Sequence, residues 1–119
     1  MNKEFVPYEL AVKLKAIGFN EECFGAYHNE NYLDLESEEY DYSYAVKAPI
    51  FSQAFRWFRE ENGHNGVIEG CKKHGFEWCI YPDMEHYIKP PNNFNTYEEA
   101  ELACLDKLIE IVESKQQEQ

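Results

Sequence analysis

The 119-residue chain contains no apolar run near the roughly 18 residues that a membrane-spanning helix needs. No basic-then-apolar leader is legible at its N-terminus, so a cytoplasmic protein with no membrane association is expected. Basic residues are scarce: 11 Lys and Arg stand against 23 Asp and Glu, a formal net charge of -12 with neutral histidines. Phosphate backbones are held by clustered Lys and Arg, so a nucleic-acid partner is not expected. Lys72, Lys73 and His74 form the only small basic cluster. Catalytic signatures are missing too. There is no glycine-rich phosphate loop, no Gly-x-Ser-x-Gly elbow and no calcium loop of alternating oxygen ligands around a fixed glycine. The sequence therefore points to no cofactor and to a role other than catalysis.

Hydrophobic residues make up 44% and aromatics 16%, too much apolar content for a disordered chain despite the charge. The length suits a single domain, residues 1–119, with a polar tail fraying from about residue 114. Cys23, Cys71, Cys79 and Cys104 are expected to be reduced, because a core of this size needs no disulfide staple and the expected compartment is reducing.

Three helices are legible. Pro7 opens the first, over 7–17, where Leu10, Leu14 and Ile17 recur at spacings of four and three before Gly18 stops it. Pro49 introduces the second, over 50–61, with Phe51, Phe55 and Phe58 on one stripe and Ile50, Ala54 and Trp57 beside it. Thr96 and Glu99 form a capping box at the start of the third, whose apolar stripe runs through Ala100, Ala103, Cys104, Leu105, Leu108, Ile109, Ile111 and Val112.

Strands are expected over 22–28 and around 40–46, with residues from 29 onward forming a polar loop between them. A hairpin is expected from 66–72 and 76–81 around a turn at His74-Gly75. In a register centred on residue 74, Ile68 faces Ile80 and Gly70 makes room for the Trp78 indole. Ile68, Phe76, Trp78 and Ile80 then share the apolar face. His86, Tyr87 and Ile88 are expected to add a short edge strand, stopped by Pro90-Pro91. The order predicts an α+β domain, three helices packed on a small antiparallel sheet of three or four strands.

The most distinctive stretch is residues 30–44. Glu30, Asp34, Glu36, Glu38, Glu39 and Asp41 alternate with Tyr32, Tyr40, Tyr42 and Tyr44, and no Lys or Arg interrupts them. Tyrosine offers contact area with a polar end, and carboxylates steer a basic partner. These residues are the candidate interaction surface for a basic protein partner. The alternative is a metal- or small-molecule-binding module in the 66–86 hairpin region. There Cys71, His74, Cys79 and His86 supply a zinc-type ligand set within a short window. A cysteine nucleophile would require a nearby base. Cys23 and His28 are close in sequence but differ in strand parity, and the acidic surroundings should raise the thiol pKa.

Three stretches, FVPYELAVKLK (Phe5–Lys15), APIFSQAFRWFR (Ala48–Arg59) and TYEEAELACLDKLIEIV (Thr96–Val112), resemble a family of small uncharacterised proteins from phages, prophages and mobile elements of Bacteroides-like gut bacteria. The resemblance covers the three helices. It implies a cytoplasmic bacterial setting and brings no catalytic residues with it.

Overall fold

The computed structural model describes residues 2–35, 45–82 and 85–118. The protein is α+β, with three α-helices and two small antiparallel sheets of three and two strands among the described residues. It divides into two compact units, Met1–Ala54 and Phe55–Gln119. No described helix is long and apolar enough to cross a membrane.

In the first unit, helix α1 (Tyr8–Ala16) starts after Pro7, whose extended backbone and missing N–H suit the N-cap region. Its end is a Schellman closure. The Phe19 N–H reaches the Leu14 carbonyl at 3.0 Å and the Gly18 N–H reaches Lys15 at 3.2 Å. Gly18 holds φ +108, and Lys13 and Lys15 sit in the last turn, where the helix dipole favours cations. Leu10, Ala11, Leu14, Ile17 and Phe19 are buried.

Strands β1 (Gly25–Asn29), β2 (Tyr32–Asp34) and β3 (Val46–Ala48) form the three-stranded sheet in the order β2-β1-β3. The strand expected over 22–28 is found, displaced toward its C-terminal end. Most of the strand expected around 40–46 lies outside the described residues, and β3 begins at Val46. β2 falls where a loop was expected. The Asn29 side-chain oxygen accepts from the Asn31 N–H at 2.8 Å, an Asx turn that reverses the chain without the Asn-Gly signal of a two-residue hairpin. Leu33 and Leu35 then cover Gly25, where a Cβ would lie 2.9 Å from Leu35 and 3.1 Å from Leu33. Tyr27 is buried, donates its hydroxyl to the Val6 carbonyl at 2.7 Å and stacks edge-on against Tyr8.

Helix α2 (Phe51–Asn62) carries the boundary between the units, between Ala54 and Phe55. Within the second unit, Trp57 and Phe58 are buried and pack edge to face at 4.9 Å. Arg56 and Glu60 form a four-apart pair at 3.2 Å on the same helix. Strands β4 (Asn65–Cys71) and β5 (Gly75–Tyr81) form the expected hairpin, packed against helix α3 (Tyr97–Gln117).

The hairpin register differs from expectation by two residues. Ile68 pairs with Trp78, Gly70 with Phe76 and Cys71 with Gly75, so the turn centres on Lys73. Gly75, at φ +88, follows a three-residue turn and closes it one position earlier than expected. A shift of two preserves parity, so the expected apolar face survives, with Trp78 and Ile80 buried. Gly70 has a different reason from the expected one. A Cβ there would strike the Gly75 carbonyl, not the indole. Gly66 is the glycine that makes room for side chains, beneath the Phe55 ring and the Cys104 sulfur.

The outer edge of β5 is covered in two places. Ile80 and Ile88 exchange both backbone hydrogen bonds at 2.9 Å, and Phe76 and Phe94 do so at 2.8 and 2.7 Å. The edge strand expected at His86–Ile88 is thus a single bridge. Pro90 and Pro91 lie between the two bridges and lack the N–H a continuous ladder would require.

Thr96 caps α3 as expected, its hydroxyl accepting from the Glu99 N–H at 3.1 Å. Ala100, Cys104, Leu105, Leu108, Ile109 and Val112 form its buried stripe. The polar residues after Glu113 continue the helix to Gln117.

Candidate interaction surface

The described part of the acidic segment lies on the β1–β2 hairpin. His28, from β1, places its Nε2 3.1 Å from an Asp34 oxygen on β2, and both side chains are largely covered. The Tyr32 ring meets the His28 ring edge-on at 5.1 Å. The pair fixes one flank of Tyr32 and leaves the rest of it in solvent, at 55% exposure. Phe24, immediately before β1, is 79% exposed, and Leu35 after β2 is exposed as well. Of the expected surface, Glu30, Tyr32 and Asp34 are therefore placed on one hairpin, with Glu30 exposed in its turn. Glu36, Glu38, Glu39, Tyr40, Asp41, Tyr42 and Tyr44 lie outside the described residues. Phe24 is an addition. Its place in the strand expected over 22–28 marks it only as a strand position, and a lone Phe normally reads as core.

On β3, Lys47 is drawn to Asn20, donating to its backbone and side-chain oxygens at 3.3 and 3.2 Å. Between Ala16 and Val46 the chain has no Lys or Arg.

The alternative ligand set is not assembled. Cys71 lies opposite Gly75, whereas Cys79 lies opposite Val67. Four residues of strand separate these positions, roughly 13 Å at the usual rise. The expected register would have made the two cysteines diagonal neighbours. Cys71 is exposed and Cys79 buried. The His74 carbonyl accepts from the Asn93 amide at 3.2 Å, at the hairpin turn. His86 stands on the segment that runs along the outer edge of β5, two residues before the Ile88 bridge. Among the described residues no three His, Cys, Asp or Glu side chains gather as a metal site.

Comparison with protein-family models, with curated proteins and with solved structures finds no match to this chain.

The thiols follow their surroundings. Burial pushes the Cys23 thiol up to about 11, with Lys47 opposing and Glu21 adding. The expected direction is found, but burial leads and the carboxylates contribute less. Cys23 donates weakly to the Glu21 carbonyl at 3.4 Å, while His28 faces Asp34 and Tyr32. Burial also pushes Cys104 up to about 12, with Cys79 and Glu101 adding to it. The nucleophile is the thiolate, so these groups react slowly near neutral pH. Cys71 should accordingly take up the first equivalent of iodoacetamide at neutral pH. Peptide mapping by mass spectrometry checks this, and earlier labelling of Cys23 or Cys104 would contradict it.

The second unit holds a separate polar feature. His64, just after α2, is 6% exposed and is the one buried polar side chain among the described residues. Its Nε2 lies 3.4 Å from the Lys115 Nζ on α3. The Asn62 amide nitrogen and His64 Nδ1 are both buried without a hydrogen-bond partner. A histidine between Gly63 and Asn65 gives no sequence signal of this kind, because its partner is 51 residues away.

Proposed function

We propose that this chain is a non-enzymatic accessory protein that binds a basic protein partner through an acidic, tyrosine-bearing surface in segment 30–44. The observation that carries this reading is the solvent-facing Tyr32, held by the His28–Asp34 pair, with exposed Phe24 and Leu35 on the same hairpin. Aromatic side chains in solvent lose little conformational entropy on docking and supply much of an interface's energy. The segment's excess of carboxylates supplies the steering charge. A cytoplasmic role in a phage, prophage or mobile element belongs to the same proposal and rests on the resemblance of the three helical stretches.

The test uses the whole chain as bait in a bacterial lysate. Partners of this surface are retained by the wild type and lost by Phe24→Ser with Tyr32→Ser. Changes at such exposed positions typically move stability by no more than about 0.5 kcal/mol, so loss of capture reports the surface rather than the fold. Tyr40→Ser, Tyr42→Ser and Tyr44→Ser together extend the test along the segment. Raising salt toward about 0.5 M, where the Debye length falls to a few ångströms, should release a basic partner. Equal capture of the same proteins by wild type and variants counts against the reading.

A further inference from the structure

The geometry around His64 points to a function for the end of α3. The Lys115 ammonium has only donors to offer, so the His64 Nε2 beside it must accept. That requires a neutral imidazole carrying its proton on Nδ1. Nδ1 is buried near the Asn62 backbone but makes no well-formed hydrogen bond there. Burial, then the Lys115 charge, lowers the His64 pKa from its ordinary 6.5, and the Asn62 backbone opposes this in part. The groups acting on the ring are thus one cation from α3 and an uncharged backbone at its own α2–β4 junction.

We propose that His64 and Lys115 form a proton-sensitive latch, which pins the last turn of α3 while the imidazole is neutral and releases it when the imidazole is protonated. A proton on Nε2 would set an N–H against the ammonium, placing two like charges side by side at a part-buried contact. Lys115 is on the surface, so on protonation its ammonium turns away into water and the contact that tethers the last turn is lost. Because the folded-state pKa is below the ordinary value, the unfolded chain binds the proton first as pH falls. The latch's contribution to stability is complete above pH 6.5 and is lost as pH drops through the lower folded value.

The experiment is amide hydrogen exchange on the full chain between about pH 7.5 and about pH 5, the range in which histidine titrates, corrected for intrinsic exchange rates. The His64 ring is followed by NMR in the same samples. Exchange over Glu113–Gln117 should rise several-fold with the His64 titration, while Leu105–Ile109 stays protected. In Lys115→Gln, a substitution on the surface, a neutral amide can face either form of the ring. The last turn should then lose its pH response and the His64 midpoint should move upward. A wild-type last turn indifferent to pH, or an equal response in Lys115→Gln, overturns the proposal. Partner capture plays no part in this readout, so its outcome is independent of the proposed interaction surface.

Discussion

Phe58→Ala destabilises the Phe55–Gln119 unit by about 4 kcal/mol, the usual range for emptying a fully buried aromatic site. Phe58 has no solvent exposure and is the largest side chain among the fully buried residues. Its ring packs edge-on against Trp57 at 4.9 Å, so truncation removes an aromatic pair as well as apolar area. The site has little freedom to collapse, because Phe58 sits mid-helix and its carbonyl accepts from the His64 N–H at 3.2 Å to close the helix end. Phe58→Leu keeps most of the volume and should cost about 1 kcal/mol. Both tryptophans, Trp57 and Trp78, belong to this unit, so their fluorescence during urea unfolding reports on it directly. An alanine effect below that of the leucine variant would show that Phe58 is not a core anchor.

Gly70→Ala is expected to cost about 3 kcal/mol, from a backbone conformation that side chains avoid and a contact that cannot relax. Gly70 holds φ +131, and an added Cβ would meet the Gly75 carbonyl and the Phe76 backbone across the hairpin. Neither obstacle is the end of a flexible side chain, so the strands must part or the turn must re-form. The control is Gly63→Asn. Gly63, at φ +71, has open space around it and lies in the left-handed region that Asn tolerates, so the cost should stay below about 1 kcal/mol. Tryptophan fluorescence again gives both values. Similar losses for the two variants would mean that conformation, and not the close approach of the strands, sets the cost.

The contrast between these glycines shows where the sequence is informative. Gly18 and Gly63 end helices, and a helix stop is a local event legible from the residues before it. Gly70 and Gly66 are placed by a partner strand and a partner helix, which local reading does not supply. The helices themselves were legible because their apolar spacing repeats over several turns and their caps are adjacent in sequence. Thr96 with Glu99 needed only three residues to declare the start of α3. β2 was missed because Tyr32–Asp34 is too short to show alternation and its turn is closed by the Asn29 side chain. The candidate surface was legible as composition, since a run of carboxylates and tyrosines needs no fold to be recognised. The His28–Asp34 contact that steadies Tyr32 needed the hairpin.

The amino-acid sequence by itself determined the three helices, the α+β class, the apolar face of the hairpin and the excess of negative charge. Each follows from local propensity, capping or periodicity. Only the tertiary structure decided the division of the strands into two sheets, the two-residue shift in register, the exposure of Phe24 and the meeting of His64 with Lys115. The reason is physical: strand partners and buried polar contacts are fixed by which distant segments approach. The shift in register moved Cys71 and Cys79 apart along the strands while leaving every side chain on its expected face, because a strand repeats every two residues.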